Sequence, residues 1–460
     1  MTAALRWRIG WIALACLAAA LTVAASVRTT RPGPGAPVAS VAVGEGATQG
    51  APAVVDPVDG SGPAPGESAP PGSGGSAGFT WNRGKDALVP SYGKLPGLRE
   101  VRTQAGTGAG IRRLSAGGLV VYSRYTPVSI DNRLIVVHGE DSTSARIEDL
   151  GTGKVVRELR DIGEVNEIRW HYGLDAPSRF YYVSGMQFRQ RDARTGRDEL
   201  VRDFSAESPT GGQLFTDVEG DSSDDSRYWC WMVRREVMEG SFPVDLLVSY
   251  DRVADTVATA DAGKLGRSEM GRPNTIEASP GGSACVVHWG AEEGRPQAWR
   301  RDFSAKIRDV AADQTHSGWI VDAEGGEWFV SQNNRNDWIE AVELDTGRLR
   351  KLLNHGDLGW DNGMHFSKGY GARGQVLLST YSAGNAEWGE NQLVMLGLDG
   401  RILRIAHTHN VYPGDDGYRN EAAAALSHDG QSIYWTGNWG DGGRRRDVYA
   451  IDLPAEWWKR

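Results

Sequence analysis

The chain has 460 residues, including 17 Trp, 60 Gly and 20 Pro, and its formal net charge is −9 at pH 7. So many aromatic residues and turn formers, without a long helical period, indicate many short strands rather than helices. A phosphate-binding surface needs clustered Lys and Arg, so the acidic balance argues against a nucleic-acid partner and disfavours a polyanionic ligand.

Residues 1–30 have the pattern of a targeting segment. Arg6 and Arg8 precede an apolar run from Ile9 to Val27, which is typical of a secretory signal peptide. The run is also long enough to span a bilayer, so an uncleaved membrane anchor is the alternative. Either interpretation predicts an exported protein, secreted, periplasmic or anchored, whose C-terminal domain lies outside the cytoplasm.

Residues 31–83 are dominated by Pro, Gly, Ala and Ser. A segment of this composition cannot bury enough apolar area to offset the entropy lost on ordering, so it is predicted to be a disordered linker. If residues 1–30 stay in the membrane as an anchor, the linker would tether the folded domain to it.

Residues 84–460 contain a repeat. Seven segments each carry an apolar strand, a tight turn, a second apolar strand and a polar hairpin, with first turns at 130–132, 174–176, 223–225, 280–282, 324–326, 372–374 and 428–430. The spacing of about 44 to 57 residues is that of one four-stranded blade. The sequence therefore predicts an all-β fold, a seven-bladed β-propeller of four-stranded antiparallel blades. A β-sandwich is the competing fold, and six or eight blades are alternatives because residues 84–120 could extend the first or last blade.

The cysteines are predicted to be structural and unpaired. Cys16 lies in the N-terminal apolar run, while Cys230 and Cys285 lie within strands of separate repeats. Free cysteines at such positions usually behave as small buried hydrophobes.

Blade topology assigns most histidines to one face of the propeller. The start of the first strand, the end of the second and the end of the fourth all open on the same face. By this rule seven of the nine histidines share that face: His138, His288, His316, His355, His365, His407 and His409.

Loop aromatics and amides are predicted on the same face, and they suggest carbohydrate binding. Indole rings beside hydrogen-bonding groups offer stacking together with directional contacts. The predicted substrate-binding residues are His288, Asn334, Arg335, Trp338, Trp360, Trp388 and Trp439. The alternative is that tryptophans wedge the blades together, which better explains those within strands.

A metal site is a further hypothesis. Alternate residues of an extended strand point the same way, so His407 and His409 could converge on one ion beside His365. A histidine pair at this spacing also arises by chance.

The last two repeats carry a family resemblance. The stretches at 404–407, 425–430, 433–436 and 447–454 resemble the end of the oligogalacturonate-lyase branch of TolB-like propellers. The resemblance implies a catalytic histidine at His316, a metal-ligating histidine at His365 and a carboxylate-neutralising arginine at Arg295, with Arg300 as the alternative. The family's His-Pro-His cluster is replaced by Glu421-Ala422-Ala423, which leaves only Glu421 as a ligand for a divalent metal such as Mn or Ca.

The implied chemistry is β-elimination from a uronate-containing polysaccharide. His316 would remove the proton next to the carboxylate, Arg295 would neutralise that carboxylate, and Tyr381 would protonate the leaving oxygen. The alternative function is a non-catalytic TolB-like propeller that binds glycans or proteins. The replacement of the His-Pro-His cluster and the negative net charge favour a binding module. The grouping of the histidines on one face of the propeller favours the lyase.

Overall fold

The computed structural model describes residues 86, 92–140, 143–235, 243–266, 272–290, 294–313, 315–359, 362–370, 374–382, 387–412, 420–443 and 445–459. The predicted targeting segment (1–30) and linker (31–83) lie outside the described residues, and so does Trp360. No helix within the described ranges is long and apolar enough to cross a membrane.

The described strands form seven antiparallel sheets arranged as the blades of a propeller. Blade one contains β3 (Leu134–His138), β4 (Ala145–Asp149) and β5 (Val155–Glu158). Blade two contains β6 (Arg169–Trp170), β7 (Arg179–Ser184), β8 (Gln187–Asp192) and β9 (Asp198–Asp203). Blade three contains β10 (Gln213–Phe215), β11 (Tyr228–Arg234), β12 (Val244–Asp251) and β13 (Thr256–Asp261). In blades two and three the sheet is ordered from the central channel outwards, so β6 and β10 line the channel.

Blades four to six repeat the same four-stranded order. Blade four contains β14 (Pro273–Ala278), β15 (Ala284–Trp289), β16 (Gln297–Arg300) and β17 (Lys306–Asp309). Blade five contains β18 (Ser317–Val321), β19 (Glu327–Asn333), β20 (Trp338–Glu343) and β21 (Leu349–Asn354). Blade six contains β22 (Gly363–Phe366), β23 (Gln375–Tyr381), β24 (Gln392–Gly397) and β25 (Ile402–His407). The helices described are one turn each, at Ala262–Leu265, His355–Leu358, Val165–Glu167 and Trp457–Lys459.

The ring is closed by pairing the two ends of the domain. Blade seven contains β26 (Ala425–Leu426), β27 (Ser432–Gly437) and β28 (Asp447–Asp452), and its outer strands are β2 (Gly110–Ala116) and β1 (Val101–Thr103). Arg112 of β2 pairs with Ala450 of β28. The seven-bladed prediction is confirmed, and residues 101–116 extend the last blade.

Blade one has three regular strands, because its innermost segment leaves the sheet. Leu119–Val128, the channel segment, is joined to β3 of its own blade by bridges at its two ends, Leu119 with His138 and Val128 with Ile135. Side-chain hydrogen bonds of this segment reach the other six blades. The bonded pairs are Val120–Thr436, Tyr122–Glu219, Ser123–Phe366, Arg124–Ser317, Arg124–Glu277 and Pro127–Trp170. The channel segment therefore fills the middle of the propeller.

Apolar side chains pack between blades. The strand tryptophans predicted to wedge blades together are buried, with Trp170, Trp231, Trp328 and Trp435 at most 2% exposed. Outer hairpins turn at glycines with positive φ, such as Gly153 (70°) and Gly196 (80°), which glycine adopts without a steric penalty.

The prediction of unpaired cysteines is wrong. Cys230 of β11 and Cys285 of β15 form a disulfide with a Cα–Cα distance of 5.9 Å. The two residues lie near the start of the second strand in neighbouring blades, where adjacent sheets face each other. Their sequence separation of 55 is about one blade repeat, a signal that could have revealed the pair.

Candidate functional site

Three blades bring four of the predicted residues together at one end of the channel. His316 directly precedes β18, His365 lies in β22, Tyr381 ends β23 and Glu421 precedes β26. The His316 and His365 rings are 4.4 Å apart, and the Tyr381 ring is 5.3 Å from that of His365. Nε2 of His365 and Oε2 of Glu421 are joined by a 2.7 Å hydrogen bond, and Tyr381 also hydrogen-bonds Glu421.

Two further residues complete this group, and sequence reasoning missed both. Tyr122 of the channel segment packs edge-on against His365, with ring centroids 5.4 Å apart. Its hydroxyl donates a 3.0 Å hydrogen bond to Glu219. We call Tyr122, Glu219, His316, His365, Tyr381 and Glu421 the mouth cluster. Tyr122, His365 and Glu421 are buried in it, whereas Glu219, His316 and Tyr381 are partly exposed.

Burial sets the protonation states of the mouth cluster. Burial by the surrounding protein and, to a smaller extent, the nearby His365 together lower the pKa of His316 to about 4. Burial likewise lowers the pKa of His365 to about 4, and raises the pKa of Glu421 to about 8 against the opposing effects of His316 and Tyr381. At neutral pH the histidines are therefore uncharged, which is the state a base requires.

The metal hypothesis can be compared with this geometry. Within the described ranges no three His, Cys, Asp or Glu side chains converge as metal ligands. His365 and Glu421 use a nitrogen and an oxygen on each other, while Nδ1 of His365 has no hydrogen-bond partner among the described residues. As arranged, these residues do not fit a divalent ion.

The pair His407 and His409 does not join the mouth cluster. β25 ends at His407, and His409 has a left-handed backbone (φ 59°), so the two are not alternate residues of one strand. Nδ1 of His407 accepts a hydrogen bond from the backbone N–H of His409, and Gln104 lies 2.7 Å from Nε2 of His409. The geometric premise for their joint metal binding is therefore wrong.

Below the mouth cluster, an arginine crosses the channel. Arg124 donates to Ser317 Oγ at 2.7 Å and forms an ion pair with Glu277, and it lies 3.8 Å from Glu219. Nε2 of His288 is 3.4 Å from Glu277, so His288 is part of the channel wall. Burial opposes ionisation of Glu277, but Arg124 and then His288 lower its pKa to about 2.

A strained loop lies beside Glu219. Asp217 and Val218 both have left-handed φ values, 58° and 71°, and a β-branched residue rarely adopts this conformation. Glu167 accepts hydrogen bonds from the backbone N–H groups of Thr216 and Val218, which holds the loop in place. Surrounding protein, with Glu219 and Glu167, raises the pKa of Asp217 to about 7.

The blade-five loop places three predicted residues on the same face but outside the mouth cluster. Arg335 forms a 2.6 Å ion pair with Asp313, and Asn334 accepts a hydrogen bond from Gln332. Trp338 is partly exposed and lies 5.3 Å from the Lys351 ammonium. Their contact with a substrate stays a prediction.

The remaining predicted residues are also separate from the mouth cluster. Trp388 belongs to a hydrophobic core and is 5% exposed. Trp439 is 7% exposed and stacks on His409 at 4.1 Å. Arg295 lies in the loop before β16, partly exposed, and among the described residues no hydrogen bond or ion pair joins it to the mouth cluster. Roles in substrate binding or catalysis for these three remain predictions.

The opposite end of the channel is closed by a second polar group. Lys368 lies 2.8 Å from Asp224 and 3.3 Å from Asp221, and donates to Ser222 O at 2.7 Å. Tyr172 and Tyr370 donate hydrogen bonds to Asp221. Nε2 of His428 is 3.1 Å from Asp224 O, and its ring packs on both tyrosines. We call Tyr172, Asp221, Asp224, Lys368, Tyr370 and His428 the lysine network.

Comparison with known proteins supports the architecture. No family model matches the sequence, and no curated protein matches it. Among solved structures, the chain is similar to the crystal structure of an oligogalacturonate lyase from Vibrio parahaemolyticus, with a TM-score of 0.55 and 11% sequence identity over 81% of this chain and 99% of that chain. At this identity the likeness shows the propeller fold, and confirms the resemblance at the level of architecture.

Proposed function

We propose that this protein is an exported propeller that binds carbohydrate at its mouth cluster. The observation that carries the proposal is a partly exposed rim of rings, His316, Tyr381 and the adjacent Tyr412 (5.4 Å from Tyr381), beside buried hydrogen-bonding groups. Sugars are recognised by ring faces for stacking beside a few fixed polar groups. The loop residue Trp338 extends the same face outwards.

Export is supported by the disulfide. The bond between Cys230 and Cys285 would form and persist in an oxidising compartment, outside the cytoplasm. The basic and apolar pattern of residues 1–30 predicts the same location, with cleavage or anchoring as the two routes.

The test is direct binding of oligosaccharides to the purified full-length protein, measured by calorimetry with neutral, uronate and amino-sugar oligomers. We expect binding to at least one class, and its loss in His316→Ala. Leu174→Ala, at an exposed turn on the opposite face, should bind like the wild type. No binding to any of the three classes would refute the proposal.

A polysaccharide lyase is the second candidate, favoured by an uncharged His316 and by Tyr381, which both pack against His365. In the β-elimination, His316 would take the proton next to the uronate carboxylate, and the electron pair would form a carbon–carbon double bond as the carbon–oxygen bond breaks. Tyr381 would protonate the leaving oxygen. The uronate carboxylate needs a neutralising cation, for which Arg295 is the residue predicted, and no step here uses a metal.

Ultraviolet absorbance of the unsaturated product ends tests this candidate. Wild-type protein is incubated with several uronate polysaccharides, with and without manganese or calcium, beside His316→Ala. The lyase predicts an absorbance increase that His316→Ala abolishes. Glycan binding with no increase on any substrate would leave a binding module.

A further inference from the structure

The carboxylate of Glu219 in the mouth cluster has incomplete counter-charge. Arg124 is the one Lys or Arg among the described residues that forms an ion pair with Glu219 or Glu421, and its guanidinium is shared with Glu277. Asp217 lies on the adjoining loop, where the positive charges of Arg234 and Arg272 oppose the rise of its pKa. Glu219 and Glu277 therefore share one guanidinium, whereas Glu421, whose pKa is raised to about 8 by burial, is largely uncharged at neutral pH.

Aromatic rings pack around His365 and Tyr381 at this end of the channel. Tyr122 and Tyr381 pack on the His365 ring at 5.4 and 5.3 Å, and Tyr412 packs on Tyr381 at 5.4 Å. The negative face of an aromatic ring attracts an organic cation, and tyrosines beside carboxylates form the kind of cage that recognises ammonium groups.

A buried polar atom in the cluster is left without a partner. His365 is 1% exposed, and its Nδ1 has no hydrogen-bond partner among the described residues, although Nε2 is bonded to Glu421. Buried polar groups are nearly always satisfied, so such an atom indicates a missing ligand or water. The His365 ring that carries this atom packs against the rings of Tyr122, His316 and Tyr381.

We infer that the mouth cluster recognises a primary ammonium group, and that its ligand is a glycan containing unacetylated amino sugars. The inference rests on the proposed function and names the class of glycan. Glu219 would pair with the ammonium, and a carboxyl oxygen of Glu421 would accept a hydrogen bond from it. The tyrosines would contact its apolar surroundings, and Asp217 would bind a second charged sugar at the rim. A metal ion is a poorer occupant because rings, rather than converging ligand atoms, form the walls.

The experiment compares two chitin-derived hexasaccharides of equal length, one fully N-acetylated and one fully deacetylated. Affinity for full-length protein is measured by calorimetry at low salt and a pH that keeps the amine protonated. Trilysine and triglycine peptides form a second pair, because a lysine side chain presents the same ammonium from a protein source. We expect the deacetylated sugar to bind more tightly than both the acetylated sugar and trilysine.

The diagnostic variant is Glu219→Gln, which can still accept the hydrogen bond of Tyr122 but carries no charge. We expect about 10- to 100-fold weaker binding of the deacetylated sugar, the effect of one charged contact. Asp217→Asn, at an exposed position, should show a smaller loss and is independent of any packing effect at Glu219. Glu324→Gln removes the same charge from an exposed turn on the opposite face and should bind like the wild type.

Equal affinity for the two sugars, or an unchanged affinity in both Glu219→Gln and Asp217→Asn, would overturn the inference while leaving glycan binding intact. Trilysine binding more tightly than the deacetylated sugar would overturn the amino-sugar assignment. Failure of every glycan to bind is a different result and refutes the proposed function itself.

Discussion

The two ends of the central channel use similar residues, but they differ in how fully those residues are partnered. In the lysine network one ammonium lies between two carboxylates, and Asp221 also accepts hydrogen bonds from two tyrosines. In the mouth cluster Glu219 has part of one arginine, Glu421 has no cation among its described partners, and Nδ1 of His365 is unpartnered among the described residues. Both groups are built by residues from several blades that meet across the channel.

The difference separates a structural role from a functional one. A buried polar network stabilises a fold when its members are satisfied, and is costly when they are not. Accordingly Asp221 and Asp224 raise the pKa of Lys368 to about 12 despite its burial, whereas burial raises the pKa of Glu421 to about 8. Shifts towards neutrality at the mouth are typical of sites that handle ligands or protons.

The largest expected effect is on stability, at the lysine network. Lys368→Met leaves Asp221 and Asp224 without their cation, and removing one partner of a buried pair costs about 3–5 kcal/mol of unfolding free energy. Urea denaturation at neutral pH measures this loss. Lys264→Met, on a residue whose side chain is 83% exposed, should change stability by no more than about 0.5 kcal/mol.

The same variant should bind glycan like the wild type, since no residue of the lysine network contacts the mouth cluster among the described side chains. A stability loss below about 1 kcal/mol would contradict the structural role of this end. A selective loss of glycan binding in a stable Lys368→Met protein would contradict the separation of the two ends.

The sequence predicts the fold and part of the site because both depend on local patterns. Turn residues recur once per blade, and blade topology then places His316 and His365 at the starts of neighbouring inner strands. Their rings are indeed 4.4 Å apart. Glu421 reaches the same place because it precedes the inner strand of the next blade.

Contacts across the channel could not be predicted in this way. The residues around Tyr122 and Arg124 alternate like an ordinary strand, and only the assembled ring shows that this segment leaves its blade. Glu219 was missed because its partners come from that segment. His409 was misplaced because strand alternation was assumed past the end of β25. The disulfide was missed because cysteine pairing depends on how neighbouring blades face each other.

A second test uses the pH dependence of stability at the mouth. Glu421 has a folded-state pKa of about 8 against an ordinary value of 4.5, so its contribution to stability is fully present below pH 4.5 and is lost as the pH rises through 8. Wild-type unfolding free energy should fall by up to about 1.4 kcal/mol per pH unit from this group. Glu421→Gln should lack that slope.

Urea denaturation between pH 6.5 and 8 is compared between wild type and Glu421→Gln, because the buried histidines, whose ordinary pKa is 6.5, give both proteins an opposing slope that the difference removes. Glu324→Gln, exposed on the opposite face, should keep the wild-type slope. An identical pH dependence in Glu421→Gln and wild type would show that the mouth carboxyl is as well partnered as those of the lysine network.

The smallest expected effect comes from a single hydroxyl at the rim. Tyr381→Phe removes the hydrogen bond to Glu421 but keeps the ring, so glycan affinity should fall about fivefold, which corresponds to about 1 kcal/mol. Calorimetry with the tightest-binding oligosaccharide measures it. Tyr182→Phe removes a comparable hydroxyl–carboxylate bond, to Asp198 on blade two, and should leave affinity unchanged. If both variants bind like wild type, Tyr381 contributes only its ring, and the polar part of recognition lies with His316, Glu219 and Glu421.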